Sequence, residues 1–323
     1  MRRTKLLVLL ALILVGLMAL TPALAEVVRI GIVQFAEHPS LDNCRTGLIE
    51  GLRENGFAEG DNLEIRYQNA QADTGTTALI AADFASTCDM IVAIATPAAA
   101  ASFNAAEGKI PVVYTAVTDP IAAGLANPDG TSAGDVTGTS DSLPVEAQLA
   151  MIRAMQPDAK RIGILHTTSE TNSDSSLARY RELAPKYSFD IVDQGIATGA
   201  DVPMAMDALL PKVDCLTNLT DNTVVSYLPV ILEMASEAGK PVYGSEIEQV
   251  AAGCVASEGL EYVSLGRQTG AIAARILKGE QASGIPFETI TESQLSINTD
   301  AMAQFGLVLP DSLKDRATDA RKD

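Results

Sequence analysis

One short pattern occurs twice in the chain, as Arg29-Ile30-Gly31-Ile32-Val33 and again as Arg161-Ile162-Gly163-Ile164-Leu165. Each copy is an apolar run too short for a helix, followed by a polar loop and then by helical spacing, which reads as the buried first strand of an α/β unit. The layout after each copy repeats as well. The first predicts a helix near 41–55, stopped by Asn55-Gly56, and a strand at 63–67; the second predicts a helix near 175–186 and a strand near 189–193. Residues 89–94 then correspond to 214–219 as a third strand, and 108–114 to 239–243 as a fourth, with fifth strands near 135–139 and 253–257. Strands alternating with helices are joined by right-handed crossovers into a parallel sheet covered on both faces. The expected fold class is α/β, with two doubly wound parallel-sheet lobes in sequence.

The segment 262–279 carries a helical apolar stripe of Leu265, Ala271, Ile272, Ile276 and Leu277, ends at Lys278-Gly279, and has no counterpart in the first unit. It is expected to return to the first lobe. The division that follows is a discontinuous N-terminal lobe of 26–141 and 261–323, and a C-terminal lobe of 142–260, joined by crossing strands.

In open α/β sheets ligands sit outside the carboxyl ends of the strands, so two facing sheets make one cleft. Its loops are expected at 34–40, 95–98 and 115–120 from the first lobe, with 166–173, 220–223 and 244–249 from the second. None of the six contains Lys or Arg, which argues against a phosphate, sulfate or dicarboxylate ligand. Thr96-Pro97 predicts a helix start with Thr96 as N-cap and Pro97 at the first helical position, whose free amides suit one carboxylate. Glu170, Asp221 and Glu246 each follow a predicted strand of the second lobe. Asp221 and Glu246 come from neighbouring strands, so both are expected near one ammonium group, and the two walls together match a zwitterion. The candidate ligand-binding residues from the first lobe are Phe35, His38, Thr96, Pro97, Ala98, Thr118 and Asp119. From the second they are Glu170, Asn172, Ser173, Asp221, Asn222 and Glu246.

With 323 residues at 47% hydrophobic, the chain can bury two cores. Lys and Arg total 23 against 41 Asp and Glu, a formal charge of −18, and so acidic a surface repels phosphate backbones. Aromatic residues make up 4% with no Trp, which removes the usual stacking platforms for single-stranded nucleic acid. Nucleic-acid partners are not expected. At the amino end, Arg2, Arg3 and Lys5 precede an apolar run from Leu6 to Leu20 and the small-residue pattern Ala23-Leu24-Ala25. This reads as a cleaved signal peptide at 1–25, the run being shorter than the about 20 apolar residues of a membrane span.

Enzyme signatures are missing: no G-x-x-x-x-G-K-[ST], no G-x-G-x-x-G after the first strand, no G-x-S-x-G. A secreted doubly wound enzyme using Glu or His in the cleft is the alternative, but neither His38 nor His166 has a Ser or Cys partner within a recognisable motif. Cys44, Cys88, Cys215 and Cys254 lie too far apart for a zinc site, so no metal or cofactor is expected. They form either one disulfide or a set of packed thiols.

The chain resembles the ABC-transporter substrate-binding family that includes tryptophan- and phenylalanine-binding proteins. The resemblance runs from Ile30 to about Leu309 and is carried by RIGIVQFAEHPSLD at 29–42, YQNAQAD at 67–73, DMIVAIATPAAA at 89–100, AVTDPIAAGL at 116–125 and VTGTSD at 136–141. SETNS at 169–173, TDNTV at 220–224 and LGRQTG at 265–270 continue it. It implies a type I periplasmic-binding fold and a monomeric periplasmic receptor. Such a receptor closes on a free amino acid, here expected to be apolar or aromatic, and hands it to ABC permease subunits in the inner membrane; a non-amino-acid metabolite is the alternative ligand. The chain departs from the family at His166-Thr167-Thr168 and at Cys215 and Cys254, and Phe35, Tyr114, Tyr227 and Tyr243 are the wide apolar surfaces expected near the cleft.

Overall fold

Both copies of the repeated pattern lie inside a parallel sheet. The computed structural model describes residues 27–290 and 293–321; the expected signal peptide lies outside the described residues. In the first lobe β1 (Val28–Gln34) sits between β2 (Leu63–Asn69) and β3 (Met90–Ile94), with Ile30 in register with Ile65 on one side and Met90 on the other. Next come β4 (Val112–Thr115) and β5 (Val136–Ser140), and the short β11 (Glu288–Thr289) completes a six-stranded sheet in the order β11-β5-β4-β3-β1-β2. Every pairing in it is parallel. Helices α1 (Pro39–Glu54), α2 (Thr74–Thr87) and α3 (Thr96–Ala106) connect the early strands. Because side chains alternate across a strand, Gly31 faces Phe84 of α2 while Ile30 and Ile32 point the other way, all buried. That two-sided burial is why the strand reads as an unbroken apolar run.

The second lobe opens with α4 (Val145–Met155) and orders β6 (Arg161–Thr167), β7 (Asp190–Ile196), β8 (Cys215–Thr217) and β9 (Val242–Tyr243) as β7-β6-β8-β9, all parallel. Its helices are α5 (Thr171–Leu183), α6 (Val202–Leu209), α7 (Asn222–Ser226), α8 (Leu228–Glu237) and α9 (Ile247–Ala252). Two separate apolar clusters, one around Ile162 and Ile164 and one around Leu165 and Leu216, cover the two faces of this sheet. The sheet runs on into β10 (Ala256–Gly259), since Val255 N donates to Val242 O at 2.8 Å and Gly244 N to Ala256 O at 3.0 Å.

Helix α10 (Tyr262–Leu277) lies on α1 of the first lobe in the most extensive helix contact of the molecule. Glycines permit it. A Cβ on Gly47 would stand 1.9 Å from Val263 O, one on Gly51 2.2 Å from Arg267 O, one on Gly266 1.9 Å from Cys44 O and one on Gly270 2.4 Å from Leu48 O. The two backbones touch, with no side chain between them.

The expected placement of 261–323 in the first lobe needs correction. Strand β12 (Gln294–Ile297) pairs antiparallel with β10, β13 (Ala317–Asp319) pairs parallel with β12, and α11 (Thr299–Gln304) sets Ala301 and Met302 into the second lobe's core. Leu295 and Ile297 alternate inward there and have no place on the first sheet. The chain therefore crosses between the lobes after β5, after β10 and again between β11 and β12. All four cysteines are buried free thiols, which decides for packed thiols over a disulfide. No helix among the described residues is long and apolar enough to cross a membrane.

Candidate functional site

The carboxyl ends of the two sheets face each other across a cavity of about 630 Å³, within the roughly 300–1,000 Å³ typical of small-molecule clefts. The first lobe lines it with Phe35, Ala36 and Glu37 after β1, residues 71–74 after β2, and Pro97 in α3. The second lobe supplies Thr167, Ser169 and Glu170 after β6, residues 197–199 after β7, and Thr223, Ser226 and Tyr227.

On the first wall β3 turns into α3 through Ala95, whose φ of 83° and ψ of 154° lie where residues with a side chain are strained by about 1–3 kcal/mol. The helix starts one residue earlier than expected. Ala95 occupies the N-cap position and Thr96 makes no capping bond, because the strained turn already lies in front of it. The Thr96 hydroxyl is buried without a hydrogen-bond partner among the described residues, beside the free amides of the helix start.

On the second wall Asp221 is the N-cap of α7 and is wholly buried. Its carboxylate accepts from Val224 N at 2.8 Å, Thr167 N at 2.5 Å, Thr167 Oγ1 at 2.7 Å and Ser173 Oγ at 2.6 Å. Four protein donors fill its lone pairs, so the expected approach of Asp221 to a ligand ammonium is corrected to an architectural role that also absorbs Ser173. Glu170 is as fully engaged. Oε1 accepts from Thr223 N at 3.0 Å and Thr223 Oγ1 at 2.9 Å. Oε2 accepts from Asn222 N at 3.0 Å, Asn222 Nδ2 at 2.6 Å and Asn172 Nδ2 at 3.0 Å. Burial first, and the Asp221 charge second, push its carboxyl above the ordinary range.

These acids orient the groups around them. The Asn172 amide donates to Glu170 Oε2 and, at 2.8 Å, to Thr220 O, which leaves Oδ1 as a buried acceptor without a partner among the described residues. His38 is buried with neither ring nitrogen hydrogen-bonded among the described residues, and burial holds its pKa below the usual value although Asn222 and Glu170 stand near it. His38 is thus a neutral imidazole carrying one donor and one acceptor.

Other candidates lie elsewhere. Ala98 is packing within α3, and Asp119 Oδ1 accepts from Ile121 N and Ala122 N at 3.1 and 2.9 Å in a turn. Thr118 spans the lobes, sharing a 2.9 Å hydrogen bond with Thr220 and donating to Asp141 at 3.0 Å. Glu246 is buried against Ser40 of the opposite lobe and does not line the cavity. His166 turns to Asp193, 3.4 Å away. Tyr114 and Tyr243 are wholly buried in the cores, so of the four wide surfaces only Phe35 and Tyr227 line the cleft.

Sequence reasoning missed the loops after β2 and β7. Gln71–Thr74 and Ala197–Gly199 both line the cavity, and the rule that ligands gather at strand ends applies to second strands as much as to first. It also missed a pairing: a Cβ on Gly199 would sit 1.9 Å from Tyr227 Cε2, so the Tyr227 ring rests on bare backbone there, with 38% of the residue still exposed.

A family model described as "ABC transporter substrate binding protein" matches residues 29–321. A tyrosine-binding protein of Clostridioides difficile is 40% identical over 275 residues, 85% of this chain and 79% of that protein. The structure of an ABC domain from Streptococcus pneumonia in complex with L-Trp superposes with a TM-score of 0.88 at 30% identity, covering 90% of this chain and 99% of that one. A ligand-free, open substrate-binding protein with adhesive properties from Clostridium difficile reaches 0.68 at 39% identity, covering 91% and 99%. The L-Trp complex thus superposes more closely than the ligand-free, open structure does, and the lobes here meet in direct hydrogen bonds.

Proposed function

The chain belongs to the family of ABC transporter substrate-binding proteins, and from that premise we propose that it captures a free aromatic L-amino acid between its lobes and delivers it to the permease of an importer. The observation that carries this reading is an inter-lobe cavity lined by Phe35, Pro97 and Tyr227, with unpartnered buried polar atoms on Thr96, next to Pro97, and on Asn172, bonded to the lining residue Glu170. Thr96 and the α3 amides suit the carboxylate, with the helix dipole supplying the positive character that no Lys or Arg of the cleft loops provides. Asn172 Oδ1 suits the ammonium. Phe35, Pro97 and the Tyr227 ring suit an aromatic side chain. The tyrosine-binding relative and the L-Trp complex support that ligand class.

Substrate-binding proteins of importers work outside the cytoplasmic membrane; we place this one in the periplasm as a monomer, with its signal peptide cut after Ala25. A thermal-shift screen of the common L-amino acids tests the ligand. Tyrosine, tryptophan or phenylalanine should stabilise the protein by about 2.7 kcal/mol at a hundred times its Kd, and tyramine, which lacks the carboxylate, should not. No shift with any aromatic amino acid would sink the reading.

A sharper outcome is expected at Thr96. Thr96→Val keeps the shape and removes only the unpartnered hydroxyl, so the ligand-free protein should melt at or above the wild-type temperature. Calorimetric titration should show binding weakened by about 1.5–3 kcal/mol, the value of a hydrogen bond to a charged group. Unchanged affinity would remove Thr96 from the site.

A further inference from the structure

The lobes also meet beside the cleft, on a surface made of acids and neutral donors. From the second lobe come Glu246, just before α9, and Glu248 within it. Ser40 Oγ of α1 donates to Glu246 Oε2, and Asn43 Nδ2 of α1 donates to Glu248 Oε1 at 2.8 Å. Tyr262, the first residue of α10, donates to Asp141 Oδ2 at 2.7 Å and stands 3.4 Å from Glu246 Oε1. Glu246, Asp141 and Tyr262 are 2%, 2% and 1% exposed.

The groups facing Glu246 from the packed elements are Ser40 on α1, Asp141 at the end of β5, Glu248 and Gln249 on α9, the Cys254 thiol before β10, and Tyr262 on α10, with Asn43 and Glu261 beside Glu248. The charged members of that set are acidic, and His38 at the head of α1 is held neutral. Tyr262 has one hydroxyl hydrogen for two carboxylates. Two buried negative charges flanking one donor repel each other unless one of them is protonated. When the lobes part, Glu246 leaves with the second lobe while Tyr262 stays on the first, and water solvates each carboxylate separately.

We propose that closing the lobes takes up one proton from solvent, held by the Glu246–Asp141 pair on either side of Tyr262, so that acid favours the closed, ligand-holding form. No bond breaks; the added proton lets one carboxyl donate where two carboxylates repelled. Burial pushes Asp141 above the ordinary range and Glu246 up to about 7, against roughly 4.3 for a solvated Glu. A group whose pKa is raised in the closed state favours closure below that value and loses the effect as pH rises through it, here through about 7. His38 works in the opposite sense, since closure buries it neutral, but it contributes equally to the wild type and to a Glu246 variant.

The inference rests on lobe closure and on no particular ligand. Affinity for L-tyrosine, measured calorimetrically for the wild type and Glu246→Gln between pH 8 and pH 6, tests it. Gln stands in for the protonated acid, so E246Q should bind more tightly than the wild type at pH 8, and that advantage should shrink about tenfold by pH 6. E246Q binding more weakly at every pH, as expected of a lost ammonium partner, or a ratio that ignores pH, would overturn the proposal. If L-tyrosine does not bind at all, the ligand reading fails separately, and the ligand-free radius of gyration by small-angle scattering decides. E246Q more compact than the wild type at pH 8, with the gap closing by pH 6, upholds the proposal; equal radii at both pH values overturn it.

Discussion

Gly266→Ala is expected to destabilise the first lobe by about 3 kcal/mol or more, at the upper end of what overpacking a core costs. The added methyl would lie 1.9 Å from Cys44 O, a main-chain atom of a helix that cannot rotate aside as a side chain would. Relief requires α1 and α10 to separate along their whole contact, which also loosens Gly47, Gly51 and Gly270 from their partners. At about 2–4 °C per kcal/mol for a domain of this size, melting should fall by roughly 6–12 °C. Gly284→Ala is the control, since nothing lies within 4 Å of its would-be methyl and its φ is not positive; it should stay within about 0.5 kcal/mol of the wild type. Equal melting of the two variants would mean that the helices do not cross in backbone contact.

Asp221→Ala is expected to cost about 3–5 kcal/mol, the range for breaking a buried charged network by removing one partner. It orphans Thr167 N, Thr167 Oγ1, Ser173 Oγ and Val224 N together and takes the cap from α7. Urea unfolding of the ligand-free variant should show the loss directly. Near wild-type stability combined with abolished ligand binding would instead restore Asp221 as a ligand group and refute its architectural role.

The fold was legible because each lobe's strands are buried on both faces, which leaves apolar runs such as 30–33 and 162–165 that no helix of that length explains. The return of α10 to the first lobe was legible for want of a counterpart. The second return, by β12 and β13, was not: β13 spans only Ala317–Asp319, all three half-buried, and a strand so short carries no alternation to read. The cleft was legible as a place but not in its division of labour. Asp221 and Glu246 look alike in sequence, each an acid just past a strand, yet one is filled by backbone and hydroxyl donors of its own lobe and the other faces the opposite lobe. That difference depends on which donors lie across the fold, and strand spacing says nothing of them. The Tyr227–Gly199 contact was hidden for the same reason, its partners standing on different loops.

The three crossings of the chain set an order of events during folding. The first sheet lacks its edge strand β11 until residue 289 exists, and the second lacks β12 and β13 until residue 319 does. Neither half can finish early: the first waits until most of the second has been made, and the second until the chain has reached β13. A chain stopped just after α10 would leave two sheets each with an open flank, one at β5 and one at β10, and exposed flanks of that kind invite pairing with other unfinished chains.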